Sequence, residues 1–590
     1  MNVFLTGYRA TGRVDGSRAS AAFDRWRLAY RDFDAAPVGS WESPTGDFVA
    51  YWASHAALTG TPYAADDGER FATFAGRPYL WSGDDADGRG ALDARAYLGG
   101  LGTLRDRLDG RTAIVRYAAG EMTVYTDAHG TQPTYTATTD GVTWVSTNAP
   151  LLYAVAGRGQ ARRHVLSCYF AFGWAIGGEP LWEPVDRLPK GTFLTVSPAG
   201  TTVDVDPAAR LGPLLGQGWD PKAAVALLAQ ATGALADWPG RPNLIAVTGG
   251  RDSRVVVAAA KRAGVEFAAV THAFPDEPGF PATGDSTVGR EVCHALGVSH
   301  ETTYGNADDV EYTDPKRALE ALAFTSPGTL DLEDARGLWA PLPGEPHAVL
   351  MSGVGGEFAR SVYGHTRGVP RGSLAKLLYR QVVKAWLQPP LLNEAGRDDV
   401  MRCLAAFVDR HLDEGVQPDD VGDTFFAEQL SAREATKSLA YDYREEAVSP
   451  FLSRRLLPHQ VGVPQPEREQ DIFHLEMLRE LAPELIDIPF AGDKPGWPSL
   501  QSEEERRDEH LRRVEKQRSA SAVPDAPDDI RATVRRLTRE AVASQPAHEA
   551  WEVLDRAAVE RVVDEGSGAV GKQAGFQLWW LATMFLREHG

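Results

Sequence analysis

The segment at residues 243–274 constrains the fold of this chain more than any other. An apolar run at 243–247 is followed by a turn with two adjacent glycines, and a helix rich in alanine and valine is expected from about Ser253 to Ala263. A second apolar run at 267–274 comes next. Apolar runs that alternate with helices are typical of βαβ units, in which helices cover a parallel sheet. We therefore predict an α/β fold with a parallel sheet for the second part of the chain.

Residues 1–205 follow a different pattern. Short runs of β-branched and aromatic residues, such as those at 112–118 and 121–126, end at Gly, Asp, Asn or Pro, which is typical of antiparallel strands joined by turns. After residue 205 the pattern changes to an amphipathic helix and then to the βαβ rhythm. A chain of 590 residues has room for several domains of about 150 residues. We place the boundary between residues 1–205 and 206–590.

Charge and composition exclude several classes of protein. The formal net charge is −20, from 61 Lys and Arg against 81 Asp and Glu, so the surface repels the phosphate backbone of a nucleic acid. The three cysteines show no C-x-x-C spacing, which argues against a disulfide framework or a cysteine zinc site. The N-terminal sequence lacks a secretion signal, and the longest mostly apolar run, 576–586, is about half a membrane span. We expect a cytoplasmic protein with no nucleic-acid or membrane partner.

The turn at 248–254 is the strongest candidate for a binding site. Its two glycines let the main chain approach an anion, and the unpaired amides at the start of the next helix add about half a positive charge there. Ser253 can donate a hydrogen bond, the two arginines can offset a polyphosphate, and Asp252 can contact magnesium or brace the loop. Neither the P-loop nor the dinucleotide-binding pattern is present, and the alternative is an ordinary turn in which Asp252 caps a helix. The candidate phosphate-binding residues are Val247, Thr248, Gly249, Gly250, Arg251, Asp252, Ser253 and Arg254.

The sequence TGGRDS at 248–253 resembles the pyrophosphate-binding loop S-G-G-x-D-S of the asparagine synthetase superfamily, with Thr in place of the first Ser. In that family the next strand lines the adenine pocket, and here Thr271 follows at the matching distance. Asp285 and the Leu-Gly-x-x-His sequence at 296–300 match further motifs in the same order. The resemblance implies that ATP binds at the turn, with Thr271 beside the adenine.

Two later segments extend the resemblance to about residues 240–500. The sequence SGVGGE at 352–357 resembles the S-G-E-G-A-D-E motif of the family, and EAVSPFLS at 446–453 resembles E-x-R-V-P-F-L-D. The late lysine that contacts ATP phosphates in the family corresponds to Lys494. The resemblance implies nucleotide contacts by Ser352 and Gly353, Mg²⁺ binding by Asp252 and Glu357, and catalytic roles for Lys494, Glu446 and Glu357.

The first 205 residues resemble the glutaminase-like domain of asparagine synthetases. The segments at 126–135, 145–148 and 188–194 match its motifs in order. The implied fold is an Ntn-hydrolase-like antiparallel β-sandwich (α+β). A parallel α/β synthetase domain of the PP-loop ATP pyrophosphatase type follows, with a helical C-terminal part.

Two positions depart from the family. Its glutaminases hydrolyse glutamine with a cysteine directly after the initiator Met, and here residue 2 is Asn. Val354 stands where family members carry a catalytic Glu or Tyr, and valine transfers no proton. We therefore expect no glutamine hydrolysis, and we expect another residue to deprotonate the amine. The candidates for that base are Glu357, Tyr363, His365 and Glu446.

The resemblance implies ATP-dependent amide-bond formation through an acyl-adenylate, with release of AMP and pyrophosphate. Family members without glutaminase activity mostly act in peptide or natural-product biosynthesis, and ring closure of the lasso-peptide cyclase type is slightly favoured. The alternatives are a small-molecule amide synthetase, similar to β-lactam synthetases or an ammonia-dependent asparagine synthetase, and a catalytically degenerate nucleotide-binding scaffold. The expected partners are a carboxylate and an amine substrate, with a precursor peptide and biosynthetic partner proteins as further candidates.

Overall fold

The chain is mixed α/β, with antiparallel sheets in its N-terminal part, a parallel sheet later and helices throughout. This agrees with the predicted order of the two kinds of sheet. The computed structural model describes residues 2–29, 38–54, 63–88, 90–238, 240–273, 284–304, 348–363, 366–386, 391–434, 446–491, 496–502, 504–505, 508, 529–565, 580–582 and 584–585.

Two six-stranded antiparallel sheets dominate the N-terminal part, with strands numbered along the chain. The first sheet consists, in spatial order, of β13 (Asp186–Arg187), β11 (Tyr135–Thr139), β12 (Val142–Ser146), β1 (Asn2–Tyr8), β3 (Phe48–Ser54) and β2 (Val38–Glu42). The second consists of β15 (Gly200–Val205), β14 (Thr192–Ser197), β10 (Glu121–Thr126), β9 (Thr112–Ala118), β5 (Phe71–Gly76) and β4 (Ala64–Asp66). A small third sheet joins β7 (Asp85–Asp87), β6 (Tyr79–Ser82) and β8 (Leu108–Asp109).

The two large sheets pack face to face as a sandwich. Side chains alternate between the faces of a strand, so Phe4 of β1 packs against the second sheet in a core with Phe71 and Val115. Its neighbours Val3 and Leu5 face helices on the outer side of the first sheet. The helices of this part are α1 (Ser17–Ala29), α2 (Arg95–Leu98), α3 (Ala149–Ala156) and α4 (Arg163–Phe172).

The later sheet has five strands, and every pairing in it is parallel. In spatial order the strands are β18 (His300–Tyr304), β17 (Ala268–Ala273), β16 (Asn243–Ala246), β19 (Val349–Met351) and β20 (Glu446–Val448). The chain fills one side of β16 first and then continues with β19 on the other side. The strand order therefore reverses between β16 and β19, where crevices for ligands form in open parallel sheets.

Helices cover the parallel sheet and join it to the sandwich. Leu228, Val256 and Leu478 pack with Ile245 of β16 in one core, and that core continues to Ile114 of the second antiparallel sheet. The covering helices are α5 (Pro221–Ala236), α6 (Arg251–Arg262) and α7 (Asp285–Leu296). The later helices are α8 (Arg371–Trp386), α9 (Glu394–Asp413), α10 (Val421–Gln429), α11 (Leu457–Val461), α12 (Gln465–Glu469), α13 (Ile472–Leu481), α14 (Asp529–Ser544) and α15 (Arg556–Glu565).

The predicted boundary at residues 205 and 206 falls where β15 ends, before α5 begins. The division into two domains stays a prediction, because the two parts share the core described above. Within the part of the chain that the structure describes, no helix has the length and apolarity needed to cross a membrane.

Candidate functional site

The glycine turn, residues 247–250, lies between the end of β16 and the start of α6. Its backbone amides are held by nearby side chains: Thr248 N–H donates to Ser253 Oγ at 3.1 Å, and Gly249 N–H donates to Asp285 Oδ1 at 2.9 Å. Gly250 N–H donates to Thr248 Oγ1 at 3.2 Å. Thr248 itself is exposed. The turn is thus braced from within while its tip remains open to solvent.

Gly249 is required by a close approach of another backbone segment. A Cβ atom at this position would lie 2.2 Å from the Cβ of Ala491, whose N–H donates to the Gly249 carbonyl at 3.2 Å. Any larger residue would push the segment at 485–491 away from the turn. Packing within the protein therefore explains this glycine, whereas the sequence had suggested the approach of an anion.

Both arginines in the first turn of α6, Arg251 and Arg254, are engaged by protein groups. The guanidinium of Arg254 is fully buried and donates to the carbonyls of Ile488 and Pro489 at 2.6 Å, and burial lowers the pKa of Arg254 to about 10. Arg251 Nε lies 2.6 Å from Asp471 Oδ2, and its guanidinium stacks over Phe490 at 4.4 Å. The structure thus places Arg254 as an anchor of the segment over the turn. A phosphate contact by either arginine stays a prediction.

A second loop, at residues 352–357, follows β19 and interlocks with the start of α6. A Cβ on Gly353 would lie 2.6 Å from the Cβ of Asp252, and a Cβ on Gly356 would lie 2.2 Å from its Oδ1. Ser352 N–H donates to the Val448 carbonyl at 2.9 Å, which ties this loop to the end of β20. The two motifs that the sequence analysis singled out are therefore in direct contact.

Asp252 lies at the centre of a cluster of charged side chains. Its Oδ2 is 3.0 Å from Arg360 Nη2, and its Oδ1 is 2.8 Å from His474 Nε2. His474 Nδ1 lies 2.6 Å from Asp471 Oδ1, and Arg360 Nη2 lies 3.7 Å from Glu357 Oε1. We call these five side chains the Asp252 cluster.

The electrostatics of the cluster shift the pKa of three groups. Burial would lower the pKa of His474, but Asp471 and Asp252 on its two nitrogens outweigh burial and raise that pKa to about 9. Burial would raise the pKa of Asp252, but the charges of Arg360 and His474 hold that pKa well below its usual range. Burial, together with the charge of Asp252, raises the pKa of Glu357 to about 7. His474 is therefore a cation near neutral pH, and Glu357 is close to its titration point.

Magnesium binding was predicted for Asp252 and Glu357. Their carboxylate oxygens are ligands that Mg²⁺ prefers, but Arg360 lies in the space between them, and Glu357 Oε2 accepts from Gly355 N–H at 3.0 Å. The described residues contain no group of three or more His, Cys, Asp or Glu arranged to hold a metal ion. In this arrangement the two carboxylates do not fit Mg²⁺, because Arg360 supplies the positive charge.

Thr271 lies in β17, on the other side of β16 from the second loop. Its Oγ1 donates to the Val247 carbonyl at 2.5 Å and lies 2.8 Å from His300 Nε2. Gly289 of α7 comes so close that a Cβ there would be 2.9 Å from the same oxygen. Thr271 therefore lies beside the turn with its hydroxyl bonded within the fold, and its contact with adenine stays a prediction.

Glu446 lies away from the turn. In β20 it is level with Val349 of β19, three residues before Ser352, which places it about 10 Å down the sheet at the rise of a β-strand. Its carboxylate is buried, with Oε1 3.4 Å from Arg111 Nη2 of the sandwich. Burial raises its pKa, but the charges around it, Arg111 among them, outweigh burial and lower it. The structure does not bring Glu446 together with the Asp252 cluster.

Other predicted residues have different surroundings. Tyr363 donates its hydroxyl proton to Gln429 Oε1 at 2.6 Å, and the Val354 carbonyl accepts from Ser449 Oγ at 2.6 Å. Lys494 and His365 lie outside the described residues. Sequence reasoning missed Arg360, Asp471 and His474. The available signal was a carboxylate and an imidazole three residues apart, with Asp471 directly before α13 and His474 in its first turn.

Asn2 begins β1 in the middle of the first antiparallel sheet. It is buried, its amide donates to the Phe74 carbonyl, and its Oδ1 accepts from Ser54 Oγ at 3.0 Å. Cys168, the first cysteine of the chain, lies in α4. The residue at the start of β1 is therefore a hydrogen-bonded amide.

Comparison with known proteins gives no family assignment. No family model and no curated protein sequence matches the chain. Among solved structures, the glutamine phosphoribosylpyrophosphate amidotransferase from B. subtilis complexed with ADP and GMP aligns at 9% identity, with a TM-score of 0.23, over 61% of this chain and 77% of its own. A structure described as the allosteric regulatory enzyme of purine biosynthesis aligns at 11% identity, with a TM-score of 0.23, over 65% of this chain and 78% of its own. Similarity at this level assigns neither a fold nor an activity to this chain.

Proposed function

We propose that the protein is an ATP-dependent carbon–nitrogen ligase that activates a carboxylate as its acyl-adenylate and passes the acyl group to an amine. The observation that carries the proposal is the position of the glycine turn. The turn ends the central strand of a parallel sheet, beside the point where the strand order reverses and at the start of α6. Nucleotides bind at such crevices, with phosphates on the helix N-terminus.

Charged side chains beside the two loops suit this chemistry. Pyrophosphate gains negative charge as it leaves the α-phosphate, so cations fixed nearby stabilise the transition state more than bound ATP. Arg360 and His474 are such cations beside Asp252, and their geometry is fixed by carboxylates. Lys494 remains a proposed contact to the phosphates. The attacking amine needs no protein nucleophile, because adenylation activates the carbonyl.

Glu357 is the best-placed candidate for the base that deprotonates the amine. It lies in the second loop, and its raised pKa of about 7 is near the value that suits proton transfer at neutral pH. Glu446 is less favoured because it lies at the start of β20, at the end of the sheet away from the second loop. Mg²⁺ enters the proposal only as a partner of the ATP phosphates, since Arg360 stands between Asp252 and Glu357.

We further propose that residues 1–205 form an Ntn-hydrolase-like domain that does not hydrolyse glutamine. The two antiparallel sheets covered by helices support the first part. The hydrogen-bonded amide of Asn2 supports the second, because it offers no nucleophile at the start of β1. The amine then comes from the substrate or from free ammonia. We favour ring closure or amidation of a peptide or natural product, and a small-molecule amide synthetase is the alternative.

The test is exchange of labelled pyrophosphate into ATP in the presence of carboxylates. The panel contains free aspartate, acylated amino acids and linear peptides with an internal Asp or Glu. We expect exchange with at least one class of carboxylate and none without it. We expect Asp252→Asn to reduce exchange by about 100-fold or more, because it removes the negative charge that holds Arg360 and His474 in place.

Asp409→Asn is the matched control, because Asp409 forms an exposed ion pair with Arg371. We expect full exchange in that variant. Circular dichroism and thermal unfolding of both variants separate loss of activity from loss of fold. Full exchange in Asp252→Asn, with the fold intact, would remove the Asp252 cluster from the mechanism.

A nucleotide-binding scaffold without catalysis is the second candidate, and one observation favours it. Both oxygens of Asp252 are engaged by Arg360 and His474, in the space where the sequence predicts a metal ion. For such a scaffold we expect ATP binding by calorimetry without pyrophosphate exchange for any carboxylate of the panel.

A further inference from the structure

Two of the three cysteines lie side by side between α4 and α9. Cys168 of α4 is buried, Cys403 of α9 is partly exposed, and each thiol is close enough to the other to shift its pKa. The contact is part of the packing of these helices. Arg163 of α4 forms a bidentate ion pair with Asp399 of α9, at 2.8 and 3.0 Å. Ser167 Oγ also donates to Asp399, at 3.3 Å.

The polar groups around the pair favour a reactive thiolate at Cys403. His164 lies one turn before Cys168 on α4, and its Nε2 is 2.9 Å from Glu179 Oε2. The neighbouring Cys168 thiol and the charge of His164 together outweigh burial and lower the pKa of Cys403 to about 7. The Cys403 thiol and burial raise the pKa of Cys168. Reactive thiols are accessible and have lowered pKa values.

We propose that Cys403 and Cys168 are a peroxide-oxidisable dithiol that forms a disulfide between α4 and α9. The Cys403 thiolate attacks a hydroperoxide, so that an S–O bond forms, the O–O bond breaks, and water or an alcohol leaves. The Cys168 sulfur then attacks the Cys403 sulfenic acid, an S–S bond forms, the S–O bond breaks, and a second water takes the Cys168 proton. Two electrons pass from the thiols to the peroxide, and an external dithiol reverses the change.

The disulfide would join the two predicted domains. Cys168 belongs to residues 1–205 and Cys403 to residues 206–590, so the bond closes the long loop of chain from residue 168 to residue 403. A link across a long loop removes freedom from the unfolded chain and stabilises the folded one. Oxidation would therefore fix the sandwich to the α9 helix. The inference does not depend on the proposed ligase activity.

The test treats the full-length protein with hydrogen peroxide and counts free thiols under denaturing conditions. We expect the count to fall from three to one, and we expect a non-reducing digest to contain the peptides of Cys168 and Cys403 in one linked species. The thermal unfolding midpoint of the oxidised protein should rise by several degrees and return after treatment with a dithiol reductant.

Variants that each replace one cysteine test which thiol reacts with peroxide and which thiol then forms the disulfide. In Cys168→Ala we expect a sulfenic acid at Cys403, trapped by a 1,3-dicarbonyl probe, and in Cys403→Ala we expect no peroxide-dependent loss of thiols. Cys293→Ala, at a buried cysteine in α7, should oxidise like the unmodified protein.

Three results would overturn the proposal: no linked peptide after complete oxidation, a disulfide between two chains, or oxidation of Cys293 as fast as that of Cys403. Alkylation rates measured on the unmodified native protein decide the last point even if a variant does not fold. Cys403 should be alkylated at least about ten times faster than Cys293, as thiolate character and exposure predict.

Discussion

The start of β1 and the glycine turn after β16 lie in two different sheets, and they differ in charge. At the start of β1, Asn2 is a neutral amide whose hydrogen bonds all lie within the fold. Beside the glycine turn, the partly buried Asp252 and Arg360 form a charged cluster with the fully buried His474. Buried charges add little stability compared with apolar packing, and they concentrate at functional sites. This difference supports the proposal that chemistry takes place at the turn and not at the start of β1.

The largest effect is expected on ATP binding, when the contact between the glycine turn with α6 and the second loop is disturbed. Gly353→Ala would place a methyl group 2.6 Å from the Cβ of Asp252, so α6 or the second loop must move. We expect loss of measurable ATP binding by calorimetry. Gly372→Ala is the matched control, because no atom lies within 4 Å of a Cβ there, and it should bind ATP normally. Normal ATP binding by folded Gly353→Ala would show that nucleotide binding does not depend on the contact between the two loops.

The next effect is on stability and concerns Glu446. Glu446→Gln removes the charge that compensates buried Arg111, and breaking a buried ion pair costs about 3–5 kcal/mol. Denaturant unfolding should show this loss, while ATP affinity of the folded variant stays unchanged. Glu560→Gln removes an exposed pair with Arg556 and should cost less than about 1 kcal/mol. A stable Glu446→Gln variant without exchange activity would instead make Glu446 catalytic.

A pH dependence is expected from Glu357. Its folded pKa, about 7, is above the ordinary value of 4.5, so the stability linked to its protonation is present below pH 4.5 and is lost as the pH rises through 7. Glu357→Gln should therefore gain stability relative to the unmodified protein between pH 4.5 and 7, by at most about 1.4 kcal/mol per pH unit. Exposed Glu484→Gln serves as the control. An equal difference at pH 5 and pH 8 would contradict the assignment.

The smallest effect is expected at Asn2. Asn2→Ala leaves Ser54 Oγ and the Phe74 carbonyl without their present partner, which costs about 1–3 kcal/mol for buried polar groups. Pyrophosphate exchange should be unchanged, and glutamate release from glutamine should be undetectable before and after the substitution. Glutamate release by the unmodified protein would refute the proposed loss of glutaminase activity.

Much of the fold follows from local pattern. The apolar run at 243–247 and the helix after it form the predicted β16 and α6, because periodicity of 2 or 3.6 depends on near neighbours. The loops after β16 and β19 carry two of the motifs identified in the sequence, and they are in direct contact. Glu446 shows the limit of this reasoning. A motif gives the residue type, but the register of β20 decides which end of the sheet the side chain occupies.

The sequence indicated where along the chain the candidate site lies, but it did not indicate which side chains contact one another there. Arg254 looked like a phosphate ligand, yet it binds carbonyls of a segment more than 230 residues later. Arg360 and His474 come from different elements, so no local pattern joins them to Asp252. Such long-range pairs depend on how helices pack over the sheet, which single-sequence periodicity does not encode.

A structure with a non-hydrolysable ATP analogue at saturating concentration tests the central claim most directly. The account predicts that the β- and γ-phosphates lie at the tip of the glycine turn beside Thr248 and the N-terminus of α6. The adenine should lie toward β17, and Arg360 should face the phosphates. An analogue bound elsewhere, or a turn that stays closed by its own side chains at saturating nucleotide, would contradict it.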